Sequence, residues 1–83
     1  MSMEVLKTGT KHVVGLKQTA KAIEKGNASL VFIAQDADAR VSESLIATCT
    51  KAQIAYELVA TMHELGKACG IHVGAATAAI LKD

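Results

Sequence analysis

Lys17, Gln18 and Lys21 are the residues of this 83-residue chain whose types and spacing could do chemistry together. They follow Gly15, and Gly26 closes the same stretch, so a helix bracketed by glycines is expected between them. At the helical period, Leu16, Ala20 and Ile23 share one stripe; Lys17, Lys21 and Glu24 share another, with Gln18 and Lys25 beside it. The first stripe is expected to bury and the second to bind. Gly15 stands just after Val13-Val14, which reads as a short strand, so the first free N–H groups of the helix emerge where a strand ends. Anions collect at such a terminus, drawn by unpartnered N–H groups and the positive end of the helix dipole. With two lysines and an amide added, the set suits phosphate and the acceptor edges of guanine. A solvated helix face has the same pattern, and the segment alone does not separate the two.

A second group lies near the C-terminus. In Leu65-Gly66-Lys67-Ala68-Cys69-Gly70-Ile71-His72-Val73-Gly74-Ala75-Ala76, glycines and small residues surround two aliphatic side chains in a loop. Held outward, Ile71 and Val73 would offer a contact for something flat and apolar, such as an unstacked base; turned inward, they would only extend the core. Other groupings carry less. His12, His63 and His72 belong to three different elements, and neither His-x-x-x-His nor Cys-x-x-Cys occurs, so no metal or other cofactor is expected. Ser42 and Ser44 sit mid-helix without a nucleophile turn. Gly66-Lys67 lacks the spacing and preceding strand of a nucleotide phosphate loop. Asp36 and Asp38 are explained by turn formation and helix capping. With no catalytic grouping, neither an enzyme nor a small-molecule substrate is expected.

The elements that must position these residues follow from periodicity. Met3 to Lys7 reads as a short helical turn and Lys11 to Val14 as a strand. After the Gly15 to Gly26 helix comes Ser29 to Gln35, an unbroken apolar run of strand length, expected to be central and covered on both faces. Asp38 caps a helix from Ala39 to about Gln53, in which Val41, Leu45, Cys49 and Ala52 keep helical spacing. Ile54 to Val59 is a further strand. Thr61-x-x-Glu64 has the form of a capping box, opening a short helix that ends before Gly70. Ala75 to Leu81 is expected to be a final central strand. Strands alternating with helices give a single-domain α/β/α sandwich of four strands.

Composition bounds the partners. Nine Lys or Arg against eight Asp or Glu leave a net charge of +1, so any nucleic-acid contact must be local rather than a coat of bulk charge. Apolar runs stop well short of the ~18 residues a membrane span needs, and the N-terminus lacks a signal-peptide pattern, so a cytoplasmic protein without a membrane partner is expected. Cys49 and Cys69 match no redox or metal spacing and are read as packing residues.

Taken in register, Gly15-x-Lys17-Gln18-x-x-Lys21, the Asp36-Ala37-Asp38 turn and the Leu65 to Ala76 segment resemble the kink-turn RNA-binding family typified by ribosomal protein L7Ae, most closely its small bacterial stand-alone members. The resemblance covers nearly the whole chain. It implies an α/β/α sandwich with a four-stranded mixed sheet, whose RNA site joins the start of the second helix to the loop before the last strand. It implies that Gly15 opens that helix, that Lys17 and Gln18 approach the guanines of tandem sheared G·A pairs, and that Lys21 approaches the backbone. Ile71, His72 and Val73 would meet a nucleotide flipped out of the three-base bulge, with Asp38 near it. Many members carry Asn-Glu where this chain has Lys17-Gln18; a carboxylate accepts from guanine N–H groups, whereas Gln is a neutral acceptor and Lys only donates. The partner so implied is a structured RNA, ribosomal or another non-coding RNA, bound by a monomer. The alternative is a protein-interaction module on the same fold, acting through a different exposed apolar surface.

Overall fold

Apolar at nearly every position, the stretch from Ala28 to Ala34 is covered from both sides, and the rest of the chain is layered around it. The structure is a computed structural model and describes Leu6 and residues 10–82. In chain order it has strand β1 (His12–Val14), helix α1 (Leu16–Glu24), strand β2 (Ala28–Ala34), helix α2 (Ala39–Ala52), strand β3 (Ala55–Val59), helix α3 (Met62–Ala68) and strand β4 (Thr77–Leu81). The strands form one sheet in the order β1-β4-β2-β3. β4 is antiparallel to both of its neighbours, and β3 is parallel to β2, joined to it by the α2 crossover. The sheet is therefore mixed, as expected.

Alternation along β2 divides the core. Phe32 and Ala34 face α3 and pack with Val59, Leu65, Ala68, Ala78, Ile80 and Leu6. Val31 and Ile33 face the other way and pack with Ala22, Ile23, Leu45, Cys49 and Ala79 beneath α1 and α2. Leu6 is helical and buried; the rest of the helical turn expected over Met3 to Lys7 lies outside the described residues. The final strand is central, as expected, but begins at Thr77, so that Ala75 and Ala76 complete the preceding loop. Both cysteines are free, Cys49 fully buried and Cys69 partly, and burial pushes both thiols up from their ordinary pKa.

One expectation is corrected. Leu16 and Ala20 do not share the buried stripe of α1: both are exposed, and Thr19, Ala22 and Ile23 face the sheet. Thr19 is fully buried, and its Oγ1 has no hydrogen-bond partner among the described residues. Packing on the sheet sets the rotation of the helix, and a threonine has the β-branched shape of valine with one methyl replaced by a hydroxyl.

The helices α1, α2 and α3 end in the same way. Gly26 N donates to Ile23 O and Asn27 N to Ala22 O; Gln53 N donates to Thr50 O and Ile54 N to Cys49 O; Gly70 N donates to Lys67 O and Ile71 N to Gly66 O, at 2.9 to 3.2 Å. Such paired bonds form a Schellman motif, which needs a left-handed residue where the chain turns off the helix. In α2 that residue is Gln53, at φ 59°, the one non-glycine with positive φ among the described residues.

Candidate nucleic-acid interface

Strand direction alone brings four connections together. β1, β2 and β3 all finish, and β4 begins, at one end of the sheet. There Gly15 N donates to Thr77 O at 2.9 Å, Ala34 N to Ala76 O at 2.9 Å, and Gln35 N to Val59 O at 2.8 Å. The expected turn residue Asp36 does more than turn: its Oδ1 accepts from Met62 N at 2.7 Å, so it holds the start of α3 from across the sheet. Met62 O in turn accepts from Ala75 N at 3.0 Å. The starts of α1, α2 and α3 and the loop from Gly70 to Ala76 thus lie at one end of the sheet.

On the α1 side, Gly15 adopts φ 98° and ψ 157°, a region open essentially only to glycine, and no side chain caps the helix after it. The first turn contains no acidic residue. Lys17, Gln18 and Lys21 are exposed, and their side chains have no hydrogen bond or ion pair to another described residue. Together with Leu16, Ala20 and Glu24 they line a groove of about 500 Å³. Leu16, 44% exposed, also borders a cleft of about 370 Å³ with Asp38, Arg40, Val41 and Ser44, so the structure brings Asp38 alongside the start of α1. Asp38 caps α2 as expected, its Oδ1 accepting from Arg40 N at 2.9 Å. Arg40 Nη2 lies 3.5 Å from Asp38 Oδ2, but its side chain is 92% exposed. A long, wet pair of this kind contributes little to stability and leaves the guanidinium free for an incoming anion.

On the loop side, the two possibilities for the aliphatic residues divide. Ile71 turns partly inward against the α3-side core, whereas Val73 is 71% exposed and His72 is exposed beside it. Gly66 explains how the loop lies so close: a methyl group there would run into the Val73 carbonyl. Thr61 opens α3, its Oγ1 accepting from Glu64 N at 3.1 Å, the expected first half of a capping box. Lys67, His63, Ile71, His72 and Val73 line a cleft of about 330 Å³ between α3 and the loop.

Of the residues expected from sequence, the fold gathers Gly15, Lys17, Gln18, Lys21 and Asp38 on the α1 side of this end, and Ile71, His72 and Val73 on the α3 side. Arg40, His63 and Lys67 went unselected. Arg40 follows the predicted N-cap by two positions, and His63 and Lys67 are four apart on a helix entering the loop; those spacings were the available signals. No group of three or more His, Cys, Asp or Glu residues that could hold a metal ion occurs among the described residues, and no described helix is long and apolar enough to cross a membrane.

The model of the ribosomal protein L7Ae/L30e/S12e/Gadd45 family matches residues 2–83. An RNA-binding protein from Geobacillus thermodenitrificans is 43% identical over 82 residues, 99% of this chain and 100% of that one. RNA-binding protein BH0128 from Halalkalibacterium halodurans is 46% identical over 82 residues, again 99% of this chain and 100% of that protein. Among solved structures, the Giardia lamblia 15.5kD RNA binding protein superposes with a TM-score of 0.88 at 28% identity, covering 98% of this chain and 71% of that one.

Proposed function

We propose, from the premise that this chain belongs to the ribosomal protein L7Ae/L30e/S12e/Gadd45 family, that it binds structured RNA and stabilises the sharply bent kink-turn conformation without altering the RNA chemically. Its similarity to proteins named as RNA-binding along essentially their full length supports the class of partner. The observation that carries the finer reading is the bond from Gly15 N to Thr77 O: it ties the open start of α1 to the end of the Gly70 to Ala76 loop.

A kink brings two phosphate backbones together, and their repulsion must be offset by counterions or by protein cations. Lys17 and Lys21, with the uncapped N–H groups of α1, supply that charge without the entropic cost of gathering ions. Gln18 presents both a donor and an acceptor to a base edge, and Lys17 donates to guanine O6 and N7. Val73 offers an exposed apolar contact for an unstacked base, and Asp38 stands where a base N–H could be accepted. Preferential binding of the bent state shifts the RNA population toward it by the difference in affinity between the two states. In this reading the chain acts as a cytoplasmic monomer.

A second reading has its own observation. Tyr56 and Leu58, on edge strand β3, are 39% and 45% exposed and lie on the same face of the sheet, as a protein-docking surface would require. Gel-shift titration of one kink-turn and of its straightened mutant decides between them. The RNA reading expects clear preference for the kinked form, sensitive to Lys17→Ala and indifferent to Tyr56→Ser; equal binding of both RNAs refutes it.

A further inference from the structure

We infer that the RNA-contacting surface continues past the loop onto α3, where Lys67, His63 and His72 form a separate seat for a backbone phosphate. The inference rests on the RNA-binding reading above and extends it to a strand that the α1 groove does not reach.

His63 and Lys67 are one helical turn apart on α3, and His72 faces them from the loop across the cleft of about 330 Å³. All three are exposed, and none of their side chains has a hydrogen bond or ion pair to another described residue. Glu64, beside His63, is the nearest acidic residue along the helix, and it forms no ion pair with Lys67. Lys67 thus offers a full charge and three N–H donors, and each imidazole offers an N–H, in a cleft also lined by Ile71 and Val73. Phosphodiester oxygens are acceptors only, so the Lys67 ammonium and one N–H from each imidazole can serve them.

The cleft is also preformed. Ile71 N is held by Gly66 O at 3.1 Å and Ala75 N by Met62 O at 3.0 Å, so the loop is tied to the helix at both ends. The bare Cα of Gly66 lets the Val73 carbonyl rest against the helix. A ligand entering such a cleft orders little that was free before, which favours binding. Ile71, His72 and Val73 line the same cleft as Lys67, so a strand leaving a base stacked on Val73 has a lysine within that cleft for a following phosphate.

The test compares a kink-turn RNA whose arm extends beyond the bulge with the same RNA cut back at that arm, using the full chain. Lys67→Gln is expected to weaken binding of the long-armed RNA about three- to tenfold and to lower the slope of log K against log salt by about one. The cut-back RNA should bind the variant and wild type equally, Lys67→Arg should restore the wild-type slope, and His63→Gln should weaken only the long-armed complex. Equal binding of long-armed RNA by wild type and Lys67→Gln overturns the inference, as does an equal loss on both RNAs. In either case the parent reading stands if wild type still prefers kinked to straightened RNA; loss of that preference in wild type removes both.

Discussion

At the scale of single residues, charge and hydrogen-bond capacity separate roles that look alike on the surface. If the proposed function holds, replacing Lys17 or Gln18 with Ala should each cost about 1–3 kcal/mol of RNA binding and relax preference for guanine, measured by titrating RNAs with altered G·A pairs. Lys21→Ala should weaken all RNAs alike and flatten the salt dependence by about one ion, because a backbone contact reads no sequence. Thr19 calls for the opposite kind of change. Its buried hydroxyl has no partner among the described residues, so Thr19→Val, which keeps the shape and removes the oxygen, should raise unfolding stability by about 1 kcal/mol in urea denaturation. These residues also show where sequence reading works. The exposed placing of Lys17, Gln18 and Lys21 on one helix and the caps Asp38 and Thr61 were legible because they depend on local spacing. The hold of Asp36 on Met62, across 26 positions, was not, since only the folded sheet brings those connections together.

At the scale of elements, the helix ends and the loop make the strongest demands on residue type. Gln53 occupies a left-handed position at the end of α2, which an L side chain adopts at a cost of about 1 kcal/mol. Gln53→Gly should therefore stabilise the fold by several tenths to about 1 kcal/mol, visible as a higher denaturation midpoint with unchanged slope. Gly66 is the reverse case. Alanine is the better helix former by about 1 kcal/mol, yet Gly66→Ala would drive a methyl into the Val73 carbonyl. The variant should lose stability by about 1–3 kcal/mol and lose RNA affinity beyond that seen for the surface variants, since the whole loop must move. Element order and the central place of the last strand could be read from apolar runs and glycine punctuation. The face that α1 buries could not, because Leu16 and Thr19 exchange the places their side-chain types suggest, and only packing against β2 and β4 decides that.

At the scale of the whole molecule, the sheet does the organising. Three strands ending where the fourth begins deliver every candidate residue to one edge, with α1 and α2 on one face and α3 on the other. The chain has almost no net charge, so the proposed RNA contact relies on the placement of its cations rather than on total field. The measurement that bears most directly on this is energy transfer between dyes on the two arm ends of a kink-turn RNA, taken at low divalent-ion concentration, where the free RNA is extended. Adding the wild-type chain should bring the arm ends together and raise transfer in step with binding, and Lys17→Ala/Lys21→Ala should abolish the rise. Saturating binding with no change in transfer would contradict the account, since the protein would then hold RNA without bending it.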